Sequence, residues 1–141
     1  MQYYLKEIET HAEMLAQFPL LQQLNPNMEY NLCAEILHEM LANNYKMIGV
    51  FAGEKCVGIS GYWIGTKLYS GKYLEMDNVV VDAEHRSAGI GAMLCHYLDN
   101  IAKENNCKMM MLDAYVENEN AHRFYLREGY IKRGYHFIKK V

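Results

Sequence analysis

The chain has 141 residues, which is enough for one domain to close a hydrophobic core without disulfides or a structural metal. Apolar residues make up 51% and charged residues 22%, and the formal net charge is -3. No apolar run approaches the roughly 20 residues that a membrane-spanning helix needs, and a general nucleic-acid binder carries an excess of Lys and Arg. We therefore expect a single cytoplasmic domain over residues 1–141 that binds neither membranes nor nucleic acid.

The four cysteines and the six histidines give no metal signature. No two cysteines form a C-x-x-C pair, and no histidine stands at zinc-finger spacing from any of them. We therefore expect no metal site. We interpret the four cysteines as buried free thiols: Cys33, Cys56, Cys95 and Cys107.

The first half of the chain predicts a helical front end followed by a β-hairpin. Thr10, with Glu13 three residues later, forms the capping pattern of a helix start. Apolar residues then recur at helical spacing from Leu32 to Leu41 and stop at Asn43. The strands expected in this half are an opening strand and the two arms of a hairpin, at Tyr3–Ile8, Met47–Ala52 and Val57–Trp63.

The second half predicts a strand, helix and strand in a right-handed crossover with two parallel strands. The continuous apolar run at the end of the first of these strands indicates cover on both faces and a place in mid-sheet. The expected elements are a strand Tyr73–Val81, a helix Gly89–Glu104, a buried strand Lys108–Ala114, a helix Glu119–Arg127 and two short C-terminal strands, Tyr130–Lys132 and Tyr135–Lys139.

The connection from Asp82 to Gly91 carries the strongest chemical signal. Two glycines at a strand-to-helix turn let backbone N–H groups approach a ligand, and the helix N-terminus favours negative charge. Arg86 adds a full positive charge, so the turn is suited to a pyrophosphate. A dinucleotide fingerprint is excluded because Leu94 stands where a third glycine is needed, and no Gly-Lys-Ser/Thr ending supports a P-loop.

Two segments resemble motifs of the GCN5-related N-acetyltransferase (GNAT) family. Arg86-Ser87-Ala88-Gly89-Ile90-Gly91 is similar to the Q/R-x-x-G-x-G/A coenzyme A motif, and Asn118 to Tyr130 is similar to N-x-x-A-x-x-x-Y-x-x-x-G-F/Y. Ala83 departs from the family, in which proline is frequent there. The resemblance implies a mixed α/β (α+β) fold, with a mostly antiparallel twisted sheet of six to seven strands and about four flanking helices.

The resemblance also implies how acetyl-CoA is held. Its pantetheine arm lies along the strand end Val79, Val80 and Val81. Asn118 is expected to cap the last helix with its side chain, and it can also touch the coenzyme. Tyr125 contacts the coenzyme and is the proton donor to the departing sulfur. The amides that meet its phosphates belong to Arg86, Ser87, Ala88, Gly89, Ile90, Gly91 and Ala92.

Two acids in the strand before this loop are candidates for the catalytic base. Glu75 and Asp77 share parity with Val79 and Val81, so an unbroken strand would place all four on one side. The family commonly has a bulge in this strand, which would break the parity and turn one carboxylate toward the amine. Glu75, Asp77 or a water molecule can act as base, and either acid can instead hold the ammonium group of the acceptor.

The resemblance therefore predicts an N-acetyltransferase that transfers acetyl from acetyl-CoA to a primary amine by direct attack in a ternary complex. The alternative is a non-catalytic module that binds or senses acyl-CoA, and a protein-interaction domain with a purely structural glycine turn is the third hypothesis. The oligomeric state is left open, although the resemblance is compatible with a homodimer and the short C-terminal strands offer an edge for pairing. The acceptor, a small-molecule or peptide amine, is left open.

Overall fold

A computed structural model describes residues 2–141, which form one five-stranded sheet with helices on both faces. A 3₁₀ turn at Ala83–His85 separates β4 from α4. The strands are β1 (Tyr4–Ile8), β2 (Lys46–Ala52), β3 (Lys55–Lys67), β4 (Gly71–Val81) and β5 (Met109–Leu112). The helices are α1 (His11–Leu15), α2 (Phe18–Leu24), α3 (Tyr30–Ala42), α4 (Ile90–Glu104) and α5 (Glu119–Arg127).

The sheet is mixed and mostly antiparallel, as expected. Its strand order is β1-β2-β3-β4-β5, and each pair up to β3–β4 is antiparallel. β4 and β5 are parallel because α4 connects them across one face. The predicted strand, helix and strand unit with two parallel strands is therefore confirmed. It brings the start of α4 to the carboxyl end of β4, where ligands bind in open α/β sheets.

Each face of the sheet has its own hydrophobic core, because residues alternate between the faces along a strand. On one face the short helices α1–α3 pack Met14, Leu21 and Leu37 against Ile59 and Val80. The other face is covered mainly by α4, whose apolar stripe of Ile90, Leu94 and Leu98 packs on strand residues that include Val57, Leu74 and Met76.

The front end contains one more helix than the sequence indicates, so residues 2–141 form five helices rather than about four. The capping box at Thr10 is confirmed. The Thr10 hydroxyl accepts a hydrogen bond from the Glu13 N–H, and the Glu13 carboxylate accepts one from the Thr10 N–H. The additional helix is α2, which contains Pro19. This proline lies in the first turn of α2, where a missing N–H costs nothing because that turn has no intrahelical acceptor for it.

The expectation of six to seven strands is wrong, since the described residues form five. The segments Tyr130–Lys132 and Tyr135–Lys139 have no regular secondary structure, and every residue from Ile131 to Val141 is exposed. β5 is also shorter than Lys108–Ala114 and only half-buried, because β4 is its single neighbour.

The described part of the chain has no helix long and apolar enough to cross a bilayer. Its four cysteines are free thiols, of which Cys33, Cys56 and Cys95 are buried and Cys107 is half-buried. Within residues 2–141 no group of three or more His, Cys, Asp or Glu side chains is placed to hold a metal ion.

Candidate functional site

A β-bulge in β4 shifts the alternation of its side chains between the two faces of the sheet. Asp77 pairs with Gly61 and Val80 with Ile59, so Asn78 and Val79 together oppose one residue of β3. Asn78 has a φ of 56°, a left-handed conformation that Asn tolerates better than most residues. The bulge expected from the resemblance is therefore confirmed.

The bulge breaks the parity of the acids and the valines. Before it, Leu74 and Met76 face α4, so Glu75 and Asp77 face the side of α1–α3. After it, Val80 packs in the α1–α3 core and its two valine neighbours pack against the α4 core. The side chain of Asn78 donates to the hydroxyl of the buried Tyr45 at 3.1 Å, which fixes the bulge from the α1–α3 side.

β4 and β5 separate directly beyond Met76. Their parallel pairing runs from Tyr73 opposite Met109 to Met76 opposite Leu112, and β5 ends there. Beyond this point β4 continues to Val81 with β3 as its paired neighbour. The β5-facing edge at Val79–Val81 therefore leaves backbone groups available to an extended ligand that carries amides.

The loop after β4 presents unused backbone donors at the same end of the sheet. Ser87 and Gly89 both have left-handed φ values, of 69° and 80°, and the loop from Arg86 to Gly89 is exposed. Within residues 2–141 no N–H from Ser87 to Ala92 donates to a protein acceptor. These N–H groups lie in the loop before the 15-residue helix α4 and in its first turn, where the helix N-terminus favours negative charge. The loop therefore fits a phosphate or pyrophosphate.

The two glycines of this loop have different physical roles. A Cβ at Gly89 would meet nothing within 4 Å, so this residue is required for its left-handed backbone and not for space. A Cβ at Gly91 would lie 3.0 Å from the ring of Phe124, so this residue lets α5 pack closely on the start of α4. Only Gly89 therefore acts directly on the shape of the loop.

Asp82 fastens the loop to the rest of the fold, a role that sequence reasoning missed. Its carboxylate accepts from the Gln23 side chain at 3.3 Å and pairs with the Lys55 ammonium at 3.4 Å. The side-chain oxygen of Gln23, Oε1, in turn accepts from the Ala83 N–H at 3.3 Å. Burial opposes ionisation, but the donors from Gln23, the Glu84 N–H and Lys55 outweigh it and lower the pKa of Asp82. The only sequence signal is an acid placed directly after a strand.

α5 brings Tyr125 to the α4 side of the sheet. Asn118 caps this helix, because its side-chain oxygen accepts from the Ala121 N–H at 3.1 Å. The ring of Tyr125 packs edge-on against Phe124 and Tyr130, at centroid distances of 5.1 and 5.7 Å. Burial, with a smaller contribution from Cys95, raises the pKa of the Tyr125 hydroxyl, so it stays protonated at neutral pH.

The two acids of β4 have different surroundings on the opposite face. Asp77 accepts a hydrogen bond from the indole N–H of Trp63 at 2.9 Å, and Trp63 packs on Tyr45 with ring centroids 4.9 Å apart. Burial, followed by the charge of Asp113, raises the pKa of Glu75. The Trp63 indole thus fixes the position of the Asp77 carboxylate, whereas the raised pKa of Glu75 makes that carboxylate the stronger proton acceptor.

Comparisons with known proteins agree with this geometry. Residues 9–130 match the model of the acetyltransferase (GNAT) family, so the chain belongs to that family. It is 21% identical over 140 residues to an uncharacterized N-acetyltransferase of Bacillus subtilis, YhdJ, covering 98% of this chain and 99% of the relative. It is 26% identical over 119 residues to the aminoalkylphosphonate N-acetyltransferase of Salmonella typhimurium, covering 84% and 66%.

Solved structures show the same fold. A putative acetyltransferase from Agrobacterium tumefaciens superposes with a TM-score of 0.82 at 21% identity, over 98% of this chain and 99% of that one. Family membership and the N-acetyltransferase relatives make this protein an acyl-CoA-dependent N-acetyltransferase with acetyl-CoA as co-substrate.

Proposed function

We propose that the protein transfers acetyl from acetyl-CoA to a primary amine by direct attack in a ternary complex. The observation that carries the proposal is the gap where β4 and β5 separate, with acids toward one face and Tyr125 on the other. An amine entering from the α1–α3 face and a thioester held from the α4 face meet in this gap without a covalent enzyme intermediate.

The free backbone groups of this chain hold the co-substrate, which supplies an activated acetyl group. The N–H groups of Ser87–Ala92 receive the phosphates, and exposed Arg86 adds positive charge. The edge of β4 at Val79–Val81 pairs with the amides of the pantetheine arm. Asn118 and Tyr125 border the same side through α5.

Glu75 accepts the proton that the attacking amine loses, directly or through one water. Its raised pKa brings it closer to neutral pH, which suits a general base. Asp77 is better suited to hold the acceptor ammonium in place, because the Trp63 donor fixes one of its oxygens. On the opposite side, protonated Tyr125 donates its hydroxyl proton to the departing thiolate.

The charge on the acceptor face favours a cationic amine, such as a polyamine or a basic peptide. Glu75 and Asp77 face this side, and Asp113 lies close enough to raise the pKa of Glu75. An aminoalkylphosphonate, the acceptor named for the Salmonella relative, carries a negative group that these carboxylates would oppose. We therefore expect polyamines and lysine-containing peptides to be better acceptors than aminoethylphosphonate.

The test is a thiol-release assay with acetyl-CoA and a panel of diamines, polyamines, aminoglycosides, lysine peptides and aminoethylphosphonate. Direct attack in a ternary complex predicts intersecting double-reciprocal plots when both substrates are varied. Parallel plots would contradict the ternary complex and indicate a covalent acyl-enzyme. Binding of acetyl-CoA in calorimetry without turnover on any amine would favour the non-catalytic module instead.

Replacing Glu75 with Gln should lower activity and raise stability at neutral pH. We expect kcat to fall by about 10²-fold or more, as for loss of a general base. The raised pKa of folded Glu75 means that the folded state binds this proton more tightly than the unfolded state, whose value is near 4.5. The free energy of unfolding therefore falls as the pH rises above that value, and Gln removes this loss.

The measurement is the unfolding midpoint of both proteins between acidic and neutral pH, beside kcat. The stability gain of Glu75→Gln should disappear below the unfolded pKa, where both side chains are neutral. Glu54→Gln, in the exposed turn between β2 and β3, is the matched control and should change neither quantity. Full activity in Glu75→Gln would transfer the base role to Asp77 or to water.

A further inference from the structure

A histidine of the C-terminal segment lies beside an acid at the end of β5. The Nδ1 atom of His136 is 2.7 Å from a carboxylate oxygen of Asp113, the residue that follows β5. Because a carboxylate accepts hydrogen bonds, Nδ1 carries the proton of this contact. Within residues 2–141 the other ring nitrogen, Nε2, makes no hydrogen bond, so neutral His136 has a lone pair there that can accept a proton.

This pair lies on the acceptor face of the sheet, next to Glu75. The preceding residue, Leu112, packs against the α4 core, so alternation along the chain directs Asp113 toward the α1–α3 side, which Glu75 also faces. Burial raises the pKa of Glu75, the negative charge of Asp113 raises it further, and His136 opposes both effects. The charges of the pair therefore act on the carboxyl group that we assign as the base.

Two further charged side chains on this face act on Glu75. Lys67, at the end of β3, lowers the pKa of Glu75, and Asp77 of β4 raises it. The ammonium group of Lys67 has no lone pair that could take a proton, and the Asp77 carboxylate is held by the indole N–H of Trp63 at 2.9 Å. His136, in contrast, combines a free lone pair with access to solvent, and imidazole is a common proton shuttle in proteins.

The proposed reaction leaves one proton on the acceptor face in every turnover. An acceptor that arrives as an ammonium ion loses two protons from its nitrogen on the way to the amide. Tyr125 gives one proton to the sulfur of coenzyme A and regains one from the nitrogen, so the other nitrogen proton stays on Glu75. Because Glu75 is half-buried, it must pass this proton on before it can act as a base again.

We propose that the Asp113–His136 pair carries this proton from Glu75 to solvent. The O–H bond of protonated Glu75 breaks, and Nε2 of His136 accepts the proton directly or through one water. His136 becomes a cation that the Asp113 carboxylate stabilises, and Nε2 then gives the proton to bulk water. Both side chains suit this last step, because 67% of His136 and 60% of Asp113 is exposed. The proposal rests on the proposed function, and in it His136 acts through Glu75 and not on the substrates.

The first test is the activity of His136→Ala with acetyl-CoA and the amine of the panel that has the highest kcat/KM. We expect kcat to fall by about 10²-fold, as for loss of a proton-transfer group, with KM for acetyl-CoA unchanged. Added imidazole should restore activity, because it can take the proton from Glu75 in place of the missing ring. In the Glu75→Gln background, His136→Ala should have no further effect on kcat, because the transfer begins at Glu75.

His96→Ala is the matched control. The His96 side chain is 71% exposed and lies 3.7 Å from a carboxylate oxygen of Glu128, so it forms a similar pair, but it belongs to α4 on the opposite face of the sheet. This variant should keep the kcat of the wild type and show no response to imidazole. Full kcat in His136→Ala, an equal loss in His96→Ala, or a loss in His136→Ala that imidazole does not reverse would overturn the proposal.

NMR titration of the histidine ring signals tests the contact between the two groups without any substrate. Glu75→Gln removes a negative charge near His136, so the His136 ring should titrate at lower pH in this variant, and the His96 ring should be unchanged. An unchanged His136 titration would overturn the proposal. A wild type that acetylates no amine would overturn the proposed function and the proton transfer together, whereas turnover that His136→Ala leaves unchanged would overturn the proton transfer alone.

Discussion

Replacing Tyr125 with Phe should lower kcat by about 10²- to 10⁴-fold, the usual contribution of a positioned proton donor. The substitution keeps the ring that packs against Phe124 and Tyr130 and removes only the hydroxyl. Because burial raises the pKa of this hydroxyl, Tyr125 is protonated at neutral pH before the reaction, and the substitution removes the proton that it would donate. The measurement is kcat and KM for acetyl-CoA, with binding followed by calorimetry.

Tyr130→Phe is the matched control for this prediction. Its ring lies 5.7 Å from that of Tyr125, and its hydroxyl lies 3.4 Å from the sulfur of Met76, so the variant changes a neighbouring phenol in the same core. We expect kcat to stay within a few-fold of wild type for Tyr130→Phe. If Tyr125→Phe retains full kcat while acetyl-CoA binding is unchanged, Tyr125 is a core residue and another group or water protonates the thiolate.

Local patterns in the sequence were sufficient where the relevant contacts are local. The capping box at Thr10 needs only Glu13 three residues away, and it is present in the structure. The bounds of α5 follow from the apolar side of a helix with an Asn cap and a glycine at its end, and Glu119–Arg127 is confirmed. The strand-to-helix turn after β4 is likewise a local feature, so the start of α4 was predicted to within one residue.

Contacts between distant segments were not predictable from periodicity. Gln23 and Asp82 are 59 residues apart, and Asn78 and Tyr45 are 33 apart, yet these two pairs fix the loop and the bulge. Neither pair produces a repeating pattern in the sequence. The number of strands failed for a related reason, because β propensity marks the C-terminal segment as extended without specifying a partner strand for it.

The two glycines of the motif after β4 are required for two different physical reasons. The motif treats Gly89 and Gly91 alike, but the structure requires the first for its backbone angle and the second for its contact with Phe124. A variant that changes both would mix loosening of the loop with displacement of α5. The loop is therefore tested at Gly89 alone.

Gly89→Ala should weaken acetyl-CoA binding by about 5- to 30-fold, because an L side chain costs about 1–2 kcal/mol in the left-handed conformation. The new Cβ meets nothing within 4 Å, so the loss reflects the backbone and not a clash. Gly89→Asn should retain most of the affinity, since Asn adopts this conformation more readily. Calorimetric titration with acetyl-CoA measures both variants.

Gly53→Ala provides the control, because Gly53 also has a positive φ, of 64°, and open space around it, but lies in the turn between β2 and β3. Gly53→Ala should lose unfolding free energy and keep its affinity, whereas Gly89→Ala should lose affinity because its strain falls on the conformation that the bound loop requires. Equal affinities in the two variants would mean that the N–H groups from Ser87 to Ala92 do not hold the phosphates. A comparable loss in Gly89→Asn would show that the loop needs glycine for close approach of the ligand, in addition to its angle.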